Sequence, residues 1–191
     1  MNSYFANAAQ IVIVFLFGAV MAILILRLLA EVSRVNFYNP ISQFLYRATH
    51  LILNPVRRFA PSYRHVNLAP LILAYLVALF KLLLLFSLRG FMPHFAGLLL
   101  ASLAELVDFI LMLYMALIFA WALMSLFTVD SSNPIVPFIE QLTVPAVRPL
   151  QKVLPSFAGL DFSPAVAILI ILLARVLLIQ PLFELGLRLA Q

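Results

Sequence analysis

The sequence predicts an all-α membrane protein with four transmembrane helices, built as two tandem copies of one unit. Hydrophobic residues make up 65% of the chain and charged residues 10%, whereas about a quarter of the residues of a soluble domain are charged. Four apolar segments are each long enough to cross a hydrocarbon core of about 30 Å. A shift of 94 positions also superposes the second half of the chain on the first.

The predicted spans lie near residues 8–30, 69–88, 96–127 and 164–184. The second opens at Pro70, which at the first helical turn gives up only an amide that has no partner there. The third is longer than a crossing requires, so it either tilts or begins in the headgroups. Ser163 is the expected N-cap of the fourth span and Pro164 its first helical residue. The first copy occupies residues 1–94 and the second 95–191.

Lysine and arginine in the loops predict the orientation, because cationic loops stay on the cytoplasmic side. The two long loops carry most of these residues: Arg34, Arg47, Arg57, Arg58 and Arg64 in the first, and Arg148 and Lys152 in the second. The opposite side holds only Arg89 and Arg188. We therefore expect a multi-pass inner-membrane protein with both termini in the periplasm, and we assign the basic pI to topology and anionic lipids rather than to nucleic acid.

The repeat is ungapped. It places Asn39 on Asn133 and Pro40 on Pro134, and further along the chain it matches Pro55 with Pro149, Pro61 with Pro155, Pro70 with Pro164, and the cation Lys81 with the cation Arg175. Because each copy crosses the bilayer an even number of times, both copies have the same orientation. They are then parallel repeats, related by an axis near the membrane normal.

Each long loop contains a predicted amphipathic helix. Its apolar residues recur at helical spacing: Ile41, Phe44, Leu45, Ala48, Leu51 and Ile52 in the first copy, and Ile135, Phe138, Ile139 and Leu142 in the second. Such a helix lies in the membrane interface, where Arg57 and Arg58 meet anionic headgroups. The spaced prolines are then expected to end the helix and form an elbow that returns the chain to the membrane. This element is either a structural brace or a docking surface for a partner or lipid.

Four charged residues lie inside predicted spans: Lys81, Glu105, Asp108 and Arg175. Each costs a few kcal/mol near the bilayer centre on insertion scales, so each needs a partner or water. Glu105 and Asp108 share a helix face, and helical rise places all four charges in the outer half of the membrane. Three interpretations remain open: a cluster that fixes packing, a polar cavity for ions or protons, and snorkelling to the headgroups. Arg27, with Glu31 one turn later, is expected to be a snorkelling anchor.

Two segments carry a resemblance to a known family. They are NPISQFLYRATHLILNPVRRFAPSY at 39–63 and NPIVPFIEQLTVPAVRPLQKVLPSFAGLDFSP at 133–164. With the motif Asp161-Phe162-Ser163-Pro164, which the first copy replaces by Asn67-Leu68-Ala69-Pro70, they resemble the YggT (YlmG-like) family of bacterial and plastid membrane proteins. The resemblance covers essentially the whole chain. It implies links with osmotic or ionic stress tolerance, with cell division and nucleoid or membrane organisation, and with assembly of a haem-bearing cytochrome in plastids.

Three classes of function compete. An enzyme is not expected, because the sequence offers no nucleophile beside a base and no phosphate-binding glycine loop. A scaffold or assembly factor would use the loop helices to hold an unidentified membrane protein partner or to organise lipids, and this is the preferred interpretation. An ion-linked transporter or channel component would use the charge cluster and require further copies of the chain. No cofactor is expected, and His50, His65 and His94 lack the spacing of metal ligands.

The orientation can be tested directly because the chain contains no cysteine. With an impermeant maleimide applied from the periplasmic side, His94→Cys should be labelled in intact cells. Ser62→Cys and Gln151→Cys should be labelled only after the cells are opened, since both long loops are predicted to face the cytoplasm. Labelling of these two loop cysteines from opposite sides would contradict the parallel repeat.

Overall fold

A computed structural model describes residues 2–63, 66–126, 133–153 and 161–190. This part of the chain is almost entirely helical. In order along the chain, the elements are α1 (Asn2–Val32), α2 (Pro40–Arg57), β1 (Ser62–Tyr63), β2 (Val66–Asn67), α3 (Ala69–Leu88), α4 (Phe95–Leu126), α5 (Ile135–Gln151), α6 (Ser163–Ala174), a π-helical turn (Arg175–Ile179) and α7 (Gln180–Ala190).

Four helical segments among the described residues are long and apolar enough to cross a membrane. They are Tyr4–Val32, Ala69–Leu88, Phe95–Ser125 and Ser163–Ala190. The chain is therefore an all-helical membrane protein with four candidate spans, as the sequence predicted. A helix suits this environment because it pairs its own backbone amides and carbonyls, which hydrocarbon cannot do.

The fourth span differs from the prediction in length and regularity. It continues beyond residue 184 to Ala190, and the π-helical turn at Arg175–Ile179 interrupts it. Pro181 lies two residues after the end of this turn. As a proline it has no amide hydrogen to donate to the preceding turn of the helix. Single π turns of this kind occur inside α-helices, frequently at functional sites.

The loop helices α2 and α5 begin in similar ways. The Asn39 Oδ1 accepts a hydrogen bond from the Ile41 amide at 2.9 Å, and the Asn133 Oδ1 accepts one from the Ile135 amide at 3.0 Å. Pro40 is the first residue of α2, whereas Pro134 is the N-cap of α5. These side-chain caps satisfy amides that have no partner within the helix.

The prolines do not act where they were expected to. Pro55 and Pro149 lie inside α2 and α5, which continue two residues further to Arg57 and Gln151. Helix α2 therefore ends between Pro55 and Pro61, and not at Pro55 itself. So close to a helix C-terminus, a proline removes one hydrogen bond without preventing the final turn. Pro61 does lie beyond α2, and its carbonyl accepts a hydrogen bond from the Leu68 amide at 3.1 Å. Pro155 lies outside the described residues.

A short hairpin, which the sequence did not predict, joins α2 to α3. Ser62 pairs with Asn67 and Tyr63 with Val66 in an antiparallel register.

Helices α3 and α6 are each capped by a side chain that lies two residues before the capped amide. The Asn67 Oδ1 accepts a hydrogen bond from the Ala69 amide, and the Asp161 Oδ1 accepts one from the Ser163 amide, both at 2.8 Å. Ser163 is therefore a buried residue of α6 and not its N-cap. Asn67 and Asp161 perform the same capping in the two copies.

Close packing depends on small residues in two places. Between α1 and α3, Ala74 and Ala78 are fully buried against Met21 and Ile25. At the positions 94 residues later α6 has the larger residues Ile168 and Leu172. An apolar cleft of about 450 Å³ lies among α4, α5 and α6, and Ala167, Ile170 and Ile171 of α6 line it. Small residues let helices in membranes approach closely, since lipid tails are no less apolar than leucine.

The closest approach joins α4 to α7. A Cβ atom added to Gly97 would lie 2.1 Å from the Ala190 backbone nitrogen, and one added to Gly186 would lie 2.6 Å from the Ala101 backbone nitrogen. Neither neighbour can rotate away, because both atoms belong to the backbone. The pair of glycines therefore fixes how α7 lies against α4.

Gly97→Ala should destabilise the protein by about 1–3 kcal/mol, because the new methyl group overpacks the contact with α7. Gly18→Ala is the matched control: its Cβ would meet Phe109 at an ordinary 4.0 Å. Thermal unfolding in detergent would compare the two variants. Equal unfolding midpoints would contradict the close approach of α4 and α7.

Candidate functional site

Helix α4 carries the two acids of the charge cluster on one face. Glu105 forms an ion pair with Lys81 of α3, joining its Oε1 to the lysine Nζ. Asp108 binds Arg175 in bidentate fashion, with Nε to Oδ1 at 2.7 Å and Nη2 to Oδ2 at 2.9 Å. The four residues singled out in the sequence therefore meet as two ion pairs. Through these pairs, helix α4 contacts Lys81 of the first copy and Arg175 of the second.

The two pairs differ in burial. The side chains of Lys81 and Glu105 are 8% and 18% exposed, whereas those of Arg175 and Asp108 are 22% and 32% exposed. Glu105 Oε2 is buried and has no hydrogen-bond partner among the described residues. Removing one member of a buried pair leaves an uncompensated charge, which costs more than the intact pair contributes.

A cavity of about 310 Å³ lies beside the second pair. Asp108, Arg175 and Glu105 contribute charge to its wall, and the π-helical turn contributes Ile179. Gln180 and Glu184 also line it, and neither was identified from the sequence. The one sequence signal for Gln180 and Glu184 is that they lie close to Pro181, a proline near the end of the fourth span.

A second polar network joins α1 to α2 at the loop end of α1. The Arg27 Nη1 donates to the Thr49 Oγ1 at 3.0 Å and to the Tyr46 carbonyl at 3.2 Å. Its guanidinium lies 4.3 Å above the Tyr46 ring, and its Nη2 reaches Glu31 at 3.2 Å. The Arg27 side chain is 4% exposed, so the prediction of a snorkelling anchor is wrong. Thr49 on α2 supplies the buried partner that the sequence did not reveal.

The two arginines at the end of α2 occupy different surroundings. Arg57 Nη2 donates to Glu31 Oε1 at 2.7 Å, so Glu31 serves both Arg27 and Arg57. Arg58 is exposed. Arg57 is therefore part of the contact between α1 and α2, whereas Arg58 is not buried by either helix.

The apolar stripe of α2 was expected to face either acyl chains or the bundle, and only part of it contacts the bundle. Its buried residues include Leu45, Thr49 and Leu53, whereas Phe44 and Leu51 are 61% and 84% exposed. In α5 the equivalent of Phe44, Phe138, is buried instead. The two loop helices therefore present different surfaces.

The end of α5 is tied to the start of α6 through Asp161. Gln151 Nε2 donates to Asp161 Oδ2 at 2.7 Å. Although burial raises the pKa of this carboxyl, the hydrogen bonds from Ser163 and Gln151 outweigh it and hold the pKa below its ordinary value. Asp161 is therefore an ionised cap. No group of three histidine or acidic side chains within the described ranges is placed to hold a metal ion.

The comparisons with known proteins agree with these features. A family model described as CCB3/YggT matches residues 6–88 and again residues 100–182. The chain belongs to the CCB3/YggT family. The double match places one YggT repeat on each half of the chain, with Lys81 in the first and Arg175 in the second. No solved structure shows a significant match.

Relatives in the family match over most of their length. A protein named YggT from Escherichia coli is 34% identical over 152 residues, which covers 78% of this chain and 77% of that protein. A Pseudomonas aeruginosa protein is 34% identical over 182 residues, covering 92% of this chain and 91% of the relative. A Vibrio alginolyticus protein is 31% identical over 159 residues, covering 82% and 85%.

Glu105→Leu should destabilise the protein by roughly 3 kcal/mol, because it leaves the buried Lys81 ammonium without its counter-charge. The double variant Lys81→Leu/Glu105→Leu should regain most of that loss. Glu140→Leu, at an exposed position of α5, is the control for a change of acid to leucine. The free energy of unfolding of each variant would be measured in detergent. Equal destabilisation of the single and the double variant would contradict the ion pair.

Proposed function

We propose that this YggT-family protein is a non-enzymatic scaffold or assembly factor of the inner membrane, and that its loop helices hold a partner protein. The observation that carries the proposal is the two-sided character of α2. One face is fixed to α1 by Arg27 and Thr49, while Phe44 and Leu51 on other faces are largely exposed. A helix that is held rigidly yet exposes large apolar side chains suits recognition of a partner at the membrane interface.

The intramembrane charges support a scaffold because each acid of α4 is engaged by a cation. The bidentate pair of Asp108 and Arg175 fixes both the distance and the relative orientation of α4 and the fourth span. In this role, Lys81–Glu105 and Arg175–Asp108 set the packing of the spans. The loop helices would then make the contacts with a partner protein.

The proposed arrangement in the membrane follows from the basic loops. Both copies cross in the same sense, both termini lie in the periplasm, and α2 and α5 lie as amphipathic helices in the cytoplasmic interface. Exposed cations such as Arg58 and Arg148 then lie where anionic headgroups attract them. Further copies of this chain are one class of partner that such an arrangement could hold.

The cavity beside Arg175 favours a second candidate, an ion-linked transporter or channel component with a role in osmotic or ionic stress tolerance. Its wall combines Asp108, Gln180 and Glu184 with a π-helical turn. Polar residues in spans frequently line ion or proton paths. In this case Asp108→Asn should remove a flux without removing folded protein.

A photo-crosslinking residue at Phe44 should capture one defined protein in native membranes, because this position is on the exposed side of α2. Phe15 of α1, 72% exposed, is the matched control and should capture lipid only. The additional change Leu51→Ser should weaken capture at Phe44 while leaving the yield of folded protein unchanged. Recovery of the same species from both positions, or of none, would contradict the scaffold.

Reconstituted vesicles separate the two candidates. A scaffold predicts no flux of protons or potassium above that of empty vesicles, for the wild type and for Asp108→Asn alike. Dyes sensitive to pH and to potassium would measure it. A wild-type flux abolished by Asp108→Asn would favour the transporter.

A further inference from the structure

A polar stripe runs along α7, beside the face that packs against α4. Gln180, Glu184 and Arg188 are spaced four residues apart, so they lie on one side of the helix. All three belong to the candidate span Ser163–Ala190. Polar and charged residues are costly in a span unless a partner or water solvates them, so the surroundings of this stripe matter.

Two cavities follow the stripe. The cavity of about 310 Å³ beside Arg175 is lined by Gln180 and Glu184. A second cavity, of about 230 Å³, is lined by Glu184 and Arg188. Because Glu184 lines both, the two cavities adjoin. Together they form a groove along α7, here named the α7 groove, which leads from the C-terminal end of the fourth span to the Asp108–Arg175 pair.

The groove contains a charge that has no partner. Glu184 is exposed, and it forms no hydrogen bond or ion pair within the part of the chain that the structure describes. Asp108 and Arg175 do form a pair, yet their side chains remain 32% and 22% exposed and line the groove. An acyl chain could not solvate these three groups. Water is therefore the occupant that suits the groove.

The groove also extends below the level of the lipid headgroups. By helical rise, Glu184 lies about 9 Å and Gln180 about 15 Å from Ala190, the last residue of α7, whereas a headgroup layer is about 5–8 Å thick. Phe183, next to Glu184, packs in an apolar cluster with Leu82 of α3. This part of α7 is thus embedded among the spans, and the headgroups alone do not account for its polar side.

The first copy lacks the deep polar residues of the groove. Its residues at the equivalent positions, 94 earlier in the chain, are Phe86, Gly90 and Val14 in place of Gln180, Glu184 and Asp108. The backbone plan that the two copies share therefore does not require these residues. They belong to the second copy alone.

We propose that the α7 groove is a water-filled vestibule, which admits water and small hydrated ions from the C-terminal end of the fourth span as far as the Asp108–Arg175 pair. Neither of its two cavities extends past this pair along α4 or α6, so the vestibule opens on one side. The inference does not rest on the scaffold role, because access of water to α7 and capture of a partner by α2 are measured independently. A vestibule with one opening carries no flux, so silent vesicles are compatible with it.

Cysteine labelling tests the vestibule, because the chain contains no cysteine of its own. Single cysteines replace Arg188, Glu184 and Gln180 in the full chain, and a membrane-impermeant methanethiosulfonate is added to sealed vesicles of each orientation. The side from which Arg188→Cys reacts defines the mouth. From that side Gln180→Cys should react within about tenfold of the rate of Arg188→Cys, because water allows the thiol to ionise to the reactive thiolate. Glu184→Cys, which is nearer the mouth, should react at least as fast as Gln180→Cys.

Phe80→Cys on α3 is the matched control. Phe80 is 56% exposed and lines neither cavity. By helical rise it lies about 12 Å from the end of α3, so it is no deeper than Gln180. Its thiol faces hydrocarbon and stays protonated, so it should react at least about a hundredfold more slowly than Gln180→Cys.

A change at the mouth should also affect labelling deeper in the groove. Adding Glu184→Leu to Gln180→Cys should slow the labelling about tenfold, because an apolar side chain opposes hydration of the mouth. Adding Glu140→Leu, at an exposed position of α5, should leave the rate unchanged.

Three results would overturn the inference. Equal labelling rates for folded Gln180→Cys and Phe80→Cys would show that the groove is no wetter than the lipid-facing surface. Labelling of Gln180→Cys only from the side opposite to the mouth would contradict the direction of entry. Absence of labelling at Arg188→Cys from both sides would show that the mouth does not meet water.

Discussion

Pairing of charge inside hydrocarbon is the constraint on which the arrangement of the spans depends. A spanning helix satisfies its own backbone, but a lysine or arginine in mid-span needs a counter-charge from another helix. Helix α4 supplies both counter-charges from one face, with Glu105 for Lys81 and Asp108 for Arg175. This helix therefore links the two copies. The small residues at its start then allow α7 to pack closely against it.

The two copies share a backbone plan and have diverged in their polar residues. Thr49 and Thr143 each donate to the carbonyl four residues before them, at 2.7 and 2.8 Å. The Asn39 and Asn133 side chains each accept a hydrogen bond from the amide two residues later. In contrast, the intramembrane acids Glu105 and Asp108 are found in the second copy, and the buried Arg27 with its partner Glu31 in the first. Shared contacts maintain the fold, while the diverged residues form the ion pairs of α4 and the polar network around Arg27.

Much of the fold was predictable because its signals are local. Span length, hydropathy and proline at the first helical turn located the four spans, and helical spacing located both loop helices. The three-residue spacing of Glu105 and Asp108 also indicated that the charges would meet. Which acid pairs with which cation was not predictable, because that depends on how the helices rotate and cross.

Some errors in prediction originate in contacts between residues that are distant in the sequence. Burial of Arg27 depends on Thr49 and Tyr46, which lie on a different helix. The capping error is local: Ser163 is a good N-cap residue type before Pro164, but the Asp161 side chain, two residues upstream, caps the helix by accepting from the Ser163 amide. Composition and periodicity describe a helix by itself and therefore cannot reveal such choices.

The pairing of charges on α4 is tested most directly by exchanging one pair. Asp108→Arg and Arg175→Asp should each reduce the yield of folded protein, because each places two like charges side by side within the membrane. The double variant, which restores one acid and one cation in reverse order, should recover most of that yield. Single variants that fold as well as the wild type, or a double variant no better than the singles, would contradict this account.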